Sequence, residues 1–234
     1  MPPTIAIIGA GLAGLSCAQA LLQAGHTVHV FDKSRGPSGR MSTRRAEDAA
    51  GPWQCDHGAQ YFTARDPQFR AEVARWQQAG VAALWGARLA SFDGTAWTTP
   101  ATSLERFVGT PRMTSPAGWL VQGLQQAGDR ALAQWQTTVQ KLERHADGWA
   151  ITSAEHGLHA HRYSAVLLAV PAPQAVPLLH PVGATGAAVA ASARMRGSWA
   201  VMVRCPTPVA LAWDGAFINT GPLRWVARDS SKPG

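Results

Sequence analysis

Lysine is nearly absent: of 21 basic residues only Lys33, Lys141 and Lys232 are lysines, and the rest are arginines. Charge is thin altogether, at 15% of 234 residues, while 46% are apolar. That balance supplies a globular core and excludes a disordered composition. Cysteine is sparse too. Cys17, Cys55 and Cys205 are odd in number and far apart, which excludes a disulfide framework and a close-spaced zinc site. A reducing cytoplasm is the simplest compartment for them. There is no uncharged apolar run of about 18 residues uninterrupted by glycine. The nearest, 5–22, carries Gly9, Gly11 and Gly14, so no membrane partner is expected. Residues 1–4 hold no basic residue that would open a secretory signal. No repeat of about 20–50 residues is visible. There is no Ser-His-Asp, His-Glu-x-x-His or paired-carboxylate motif, so hydrolysis has no support and no metal ligand or catalytic acid or base is assigned.

The excess of 21 basic over 14 acidic residues, +7, would suit nucleic acid. Yet no polybasic block exceeds Arg44-Arg45 and no nucleic-acid motif is present. Nucleic acid is therefore not expected; an anionic cofactor and an anionic substrate account for the same excess.

The chain opens as a βαβ unit. Residues 4–9 read as a buried strand, 12–24 as a helix with Leu12, Leu15, Ala18, Leu21 and Leu22 at helical spacing, and 26–31 as a second strand closing on Asp32. Residues 33–60 read as irregular. Further on, 67–79 and 116–127 read as helices, and Asp93-Gly94 as a hairpin turn among strands in 82–113. Segments 137–144 and 148–152 read as a hairpin. Strands are expected at 159–164, 164–170, 198–204, 209–213 and 223–228, and a helix or linker at 184–193.

Gly9-Ala10-Gly11-Leu12-Ala13-Gly14 fits G-x-G-x-x-G in the context the motif requires, after a strand and opening a helix. Gly9 permits the tight turn, Gly11 lets a pyrophosphate approach, and Gly14 lets helix and strand pack closely. The helix N-terminus adds free N–H groups and a positive dipole end. Asp32 follows Gly14 by 18 residues, placed to accept from the hydroxyls of an adenosine ribose. It would repel a 2′-phosphate, although Lys33 and Arg35 stand beside it. Gly36, Gly39 and Arg40 supply a second phosphate-friendly turn, where an ordinary NAD domain continues into a helix; a basic surface loop is the alternative.

These motifs resemble the flavin-containing amine oxidase superfamily. The likeness rests on the N-terminal fingerprint, Arg35-x-x-x-Gly39-Arg40-x-x-Thr43, and Asp56-His57-Gly58-Ala59-Gln60-Tyr61-Phe62. It is most pronounced toward the renalase-like proteins, through Pro111-Arg112-Met113 and the ending Arg228-Asp229-Ser230-Ser231-Lys232-Pro233-Gly234. The resemblance implies an FAD cofactor. Gly9, Gly11, Leu12, Ala13 and Gly14 would hold its pyrophosphate, Asp32 its ribose with Lys33 adjacent, and Gly39, Arg40 and Met41 the diphosphate turn. Asp56, His57, Gly58, Ala59 and Gln60 would run beside the flavin, Val139 would meet adenine, and Ala169-Val170-Pro171 would return toward the cofactor. Tyr61, Phe62, Thr63 and Arg65, with Trp97, Thr98 and Thr99, are candidates for substrate binding, each aromatic being equally readable as packing. The implied activity is hydride transfer from 2- and 6-dihydro isomers of NAD(P)H to flavin and on to O₂, giving NAD(P)⁺ and hydrogen peroxide. The small-molecule partners are thus a dinucleotide substrate and O₂. An amine oxidase and an inactive nucleotide-binding fragment are the alternatives, because the late Gly-Asp segment usual in such flavoproteins has no counterpart after Pro222 and the chain reads as truncated. His57 reads as a histidine held beside the flavin or as a base, Cys55 as an inert thiol rather than a flavin attachment, and Lys232 as a surface turn. The ten tryptophans read mostly as packing.

The expected fold is α/β: a Rossmann-like FAD domain from 1–60 and 128–180, and a mainly antiparallel-sheet substrate domain from 61–127 and 181–234.

Overall fold

The computed structural model describes residues 3–101 and 104–234. The chain forms two compact units, one from 1–40 and 117–199, the other from 41–116 and 200–234.

The first unit is built on a four-stranded parallel sheet in the order Ala165–Leu168, Thr4–Ile8, Thr27–Phe31, Ala131–Gln134. Ile5, Ala6, Ile7 and Ile8 are all buried, as expected of a parallel strand covered on both faces. On one face, helix Leu12–Gln23 lays Leu15, Ala18 and Leu22 against Ile7, Val28 and Val30. Helix Ser115–Gln125 completes that layer through Ala117, Leu120, Val121 and Leu124. On the other face, Ala6, Ile8 and Phe31 meet Leu142, Ile151, Tyr163 and Leu178. Leu142 and Ile151 come from an antiparallel sheet of Val139–His145, Gly148–Ser153 and Gly157–Leu158, Tyr163 from a bridge to Trp149 in that sheet, and Leu178 from helix Ala172–Leu179.

The second unit carries a mixed sheet in the order Trp225–Ala227, Gly215–Ile218, Leu89–Phe92, Trp97–Thr98, antiparallel but for the parallel central pair. Two antiparallel pairs accompany it, Thr43–Asp48 with Gly51–Asp56 and Ala82–Leu84 with Phe107–Gly109. Helix Pro67–Gln78 starts where Asp66 accepts from the N–H groups of Gln68 and Phe69 at 2.9 and 3.0 Å. Asp93 closes the expected hairpin turn by accepting from Thr95 and Ala96. Among the described residues no helix is long and apolar enough to cross a membrane.

The structure is therefore α/β, with a Rossmann-like parallel sheet and antiparallel sheets beside it. Several expectations differ in detail. Residues 43–56 are a hairpin rather than irregular; its strands bury little beyond Asp56, so no apolar period marks them. Segments 198–204 and 209–213 form no strand, and 159–164 contributes only a bridge from Tyr163 to Trp149. Strands Ala131–Gln134 and Gly215–Ile218 and helix Ala172–Leu179 stand where none was expected. In that helix Pro173 lies in the first turn, which tolerates proline. The unit boundaries also differ from the expected ones. Residues 41–60 lie in the second unit, and 117–127 and 181–199 in the first; 117–127 joins it because the apolar stripe of helix Ser115–Gln125 is buried on helix Leu12–Gln23.

A histidine group lies on the antiparallel side of the first unit. His29 Nδ1 is 3.1 Å from the Tyr163 hydroxyl, and its ring is 5.1 Å from His161. His159 shares a 2.9 Å hydrogen bond with Ser153 and meets Phe31 edge-on at 5.1 Å. Burial, then the charges of His161 and His159, hold His29 below its ordinary value of 6.5. Burial, then His156, does the same to His159. The unfolded chain takes up these protons at higher pH than the folded one. The stabilisation is thus complete above about pH 6.5 and is lost as pH falls below it. The urea midpoint is expected to drop between pH 7.5 and pH 5.5, and to drop less in His29→Gln. Equal pH sensitivity in the two proteins would remove His29 from this account.

Candidate functional site

The first unit holds the fingerprint. Gly9 has φ 108°, where a side chain is strained, and a Cβ on it would stand 2.7 Å from the Ala169 carbonyl oxygen. A Cβ on Gly14 would stand 1.9 Å from the Gly9 carbonyl oxygen. The chain itself explains both glycines. Gly11 is different: a Cβ there would meet only the Gly39 Cα, at 4.0 Å. Its smallness is needed by nothing in the chain and leaves room for a ligand. The second glycine turn closes on the same place. Gly11 bridges to Ser38, whose N–H donates to the Ala10 carbonyl at 3.0 Å, and a Cβ on Gly39 would come 3.3 Å from the Gly11 Cα.

Helix Leu12–Gln23 begins at Gly11 with no side-chain cap and no acidic residue in its first turn. Helix Pro67–Gln78, by contrast, is capped by Asp66. The uncapped N–H groups suit the oxygens of a pyrophosphate. Ala13 is exposed there, while Leu12 packs on the core behind. Asp32 does two jobs. Its Oδ2 accepts from the Ala10 N–H at 2.6 Å and its Oδ1 from Ser34 at 2.8 Å, fixing the turn. Each carboxylate oxygen keeps a further acceptor position for a ribose hydroxyl. Lys33, Gly39 and Arg40 are exposed on the following loop. Val139 is half-buried against the second core cluster. These residues fit an ADP-bearing dinucleotide.

The second unit holds the Asp56–Phe62 stretch. The N–H groups of His57 and Gly58 both donate to the Ser42 carbonyl at 3.2 Å, and the Gln60 amide donates to the Asp56 carbonyl. Met41 and Ala59 pack on the core of Trp85, Val108 and Met113. Asp56 is buried; its Oδ1 accepts from Thr43 at 2.6 Å and from the Met113 N–H at 3.2 Å. Its Oδ2 lies 3.0 Å from Lys232 Nζ, which also lies 2.7 Å from Asp229 Oδ1. Lys232 is thus no surface turn: its side chain is 6% exposed and paired with two carboxylates. The surface reading failed because Ser-Ser-Lys-Pro-Gly carries turn residues, and only the fold shows what the lysine reaches. Burial, then the Asp229 charge, pushes the Cys55 thiol up to about 11, leaving it unreactive.

The expected substrate residues fall into different groups. Tyr61 lies 6.2 Å from Trp85 and 5.5 Å from Trp225, ring to ring. Phe62 packs among Phe69, Trp76 and Phe107. Thr63 is half-buried and Arg65 exposed. Trp97 stacks with Trp213 and meets Phe92 at a tilt, and Thr98 and Thr99 are exposed beside it. Sequence reasoning missed Arg106, buried with its guanidinium 5.1 Å from the Tyr61 ring; Leu104-Glu105-Arg106-Phe107 carries no motif that could have found it. Among the described residues no cluster of metal ligands is present.

The family described as NAD(P)-binding Rossmann-like domain matches residues 7–76. The tRNA 5-methylaminomethyl-2-thiouridine biosynthesis bifunctional protein of Magnetococcus marinus is 28% identical over 218 residues, covering 76% of this chain and 31% of the relative. The L-amino-acid oxidase of Daboia russelii is 50% identical over 44 residues, 19% of this chain and 9% of the relative. Among solved structures, wild-type putrescine oxidase bound to putrescine gives a TM-score of 0.53 at 12% identity, covering 76% of this chain and 60% of that one. The chain therefore spans only part of each relative's length, and the likeness to putrescine oxidase is one of fold.

Two substitutions separate the roles of the glycines. Gly14→Ala is expected to cost at least 1–3 kcal/mol in urea unfolding, roughly the price of overpacking. Gly11→Ala should leave stability within about 0.5 kcal/mol of wild type but weaken FAD binding at least tenfold on titration. Lys232→Met should cost about 3–5 kcal/mol, because it strips buried Asp56 of its counter-charge. Pairing it with Asp56→Asn should recover part of that loss; if the double variant is as unstable as the sum of the singles, the ion pair is not the cause.

Proposed function

We propose that this chain binds FAD and belongs to an oxidoreductase that takes a hydride from a dinucleotide, the 2- and 6-dihydro isomers of NAD(P)H. The observation that carries the cofactor is the space at Gly11, framed by the uncapped helix, by Asp32 and by the glycine turn at Ser38-Gly39. Arg40 on that turn would offset diphosphate charge. The fold shared with putrescine oxidase and the short stretch shared with an L-amino-acid oxidase support FAD over NAD as the resident dinucleotide. Bound FAD would supply a two-electron acceptor able to pass electrons on to O₂, with hydrogen peroxide as product.

The chain's own residues have positioning work to do. Gly9, Gly11, Leu12, Ala13, Gly14 and Asp32 would bind the pyrophosphate and ribose, and Val139 the adenine. The 57–60 backbone, tied to the Ser42 and Asp56 carbonyls, would give the flavin a fixed wall. Tyr61 would meet the substrate. A direct hydride donor needs no protein base, so none is assigned in this reading.

A second reading, oxidation of an amine, has the putrescine oxidase fold and the L-amino-acid oxidase stretch in its favour. The placement of Arg106 against Tyr61 weighs against it, since a buried cation repels a cationic amine. The deciding experiment is anaerobic mixing of the FAD-loaded chain with 6-dihydroNAD, following the flavin absorbance. Rapid bleaching, with peroxide formed on admitting air, is expected. Bound flavin that does not bleach with 6-dihydroNAD but does with putrescine would replace this reading with the second. A chain that takes up no FAD would leave only a nucleotide-binding fragment.

A further inference from the structure

Arg106 is 8% exposed, and arginine does not shed its proton to escape burial. Such a cation is expected to have a carboxylate partner. Among the described residues it has none: the adjacent Glu105 is paired with Arg70 at 2.6 Å. One guanidinium nitrogen donates to the Leu104 carbonyl at 3.0 Å, while Nε is buried with no acceptor among the described residues. Aromatic rings hold the group instead, with its centre 5.1 Å from the Tyr61 ring and 6.0 Å from Phe217.

A second buried donor shares these rings. Trp225 lies 5.5 Å from Tyr61 and 4.7 Å from Phe217, and its indole Nε1 is also buried with no acceptor among the described residues. Its place is built in: a Cβ on Gly215 would stand 2.7 Å from the Trp225 ring, so glycine is required beneath it. The neighbouring Trp85 indole, by contrast, is satisfied by the Ser231 hydroxyl at 3.3 Å.

Two unmet donors, one of them cationic, set among aromatic faces call for a ligand with acceptor oxygens, negative charge and a flat apolar body. We infer that Arg106 and Trp225, with Tyr61 and Phe217, form a receptor for the oxyanion of an aromatic ligand, carboxylate or phosphate. As the anchor of a turned-over substrate this rests on the oxidoreductase reading; as an anion site it stands without it.

The purified chain would be titrated with benzoate, phenyl phosphate, benzamide and benzylamine, following tryptophan fluorescence and heat. At least one of the two anions should bind, at least tenfold tighter than neutral benzamide or cationic benzylamine; which of them does so distinguishes carboxylate from phosphate. Arg106→Gln should weaken that anion at least tenfold and Trp225→Phe severalfold, as loss of a charge-assisted and a neutral hydrogen bond predicts. Arg106→Lys, which keeps the charge, should retain part of the affinity and guards against misfolding of the glutamine variant. Equal affinity for benzoate, phenyl phosphate and benzamide, no binding of either anion, or anion binding indifferent to both Arg106 variants would overturn the inference. FAD titration of the same preparations separates the two readings. Flavin uptake without anion binding sinks this site alone, and anion binding without flavin uptake sinks the flavin assignment alone.

Discussion

The Gly9 carbonyl oxygen stands where a Cβ on Gly14 would have to be, and the Ala169 carbonyl crowds Gly9 from the other side. This close approach of three backbone segments fixes how the first strand passes into helix Leu12–Gln23 and how both meet the end of strand Ala165–Leu168. The rest of the candidate site hangs from that turn. The Ala10 N–H is aimed at Asp32, Ser38 is tied to the Ala10 carbonyl, and Gly11 is left uncovered. A larger residue at either crowded position would move all of these at once, because packed backbone has no rotamer to yield.

The second unit depends on a different kind of constraint. Asp56 and Lys232 are 176 residues apart, yet each is nearly buried and each is the other's counter-charge. A buried ion pair adds little net stability over an apolar pair, but breaking it is costly. Its value lies in fixing which segments meet. It brings the Asp56–Phe62 stretch and the 228–234 stretch together, with Met113 and Thr43 donating to the same carboxylate. A parallel device lies nearby in sequence, where Arg88 and Arg228 share buried Asp214 and hold its carboxyl far below the usual carboxylate range.

The scarcity of lysine takes on meaning here. A planar guanidinium can lie against aromatic rings and offer directed donors, which a compact ammonium cannot. Arg106 uses this among Tyr61 and Phe217, and Arg88 and Arg228 use it on one carboxylate. Part of the net positive charge is thus taken up within the chain itself, by Arg106 buried against Tyr61 and by Arg88 and Arg228 paired with Asp214.

The sequence by itself determined the opening βαβ unit, the fingerprint glycines, Asp32 and the helix over 67–79. These depend on local periodicity and on residue types whose backbone needs are unusual, so a window of some thirty residues contains the whole argument. It also marked the 56–62 and 228–234 stretches as specific without revealing that they join. Only the tertiary structure decided that Lys232 is buried, that Tyr61 belongs with Trp85 and Trp225 while Trp97 belongs with Phe92 and Trp213, and that Arg106 lies against aromatic rings. It alone placed strands Ala131–Gln134 and Gly215–Ile218, which are too short to carry a period of their own. The reason is common to all of these: burial and pairing are settled by partners distant in sequence, and a side chain's type does not say which partner the fold will bring to it.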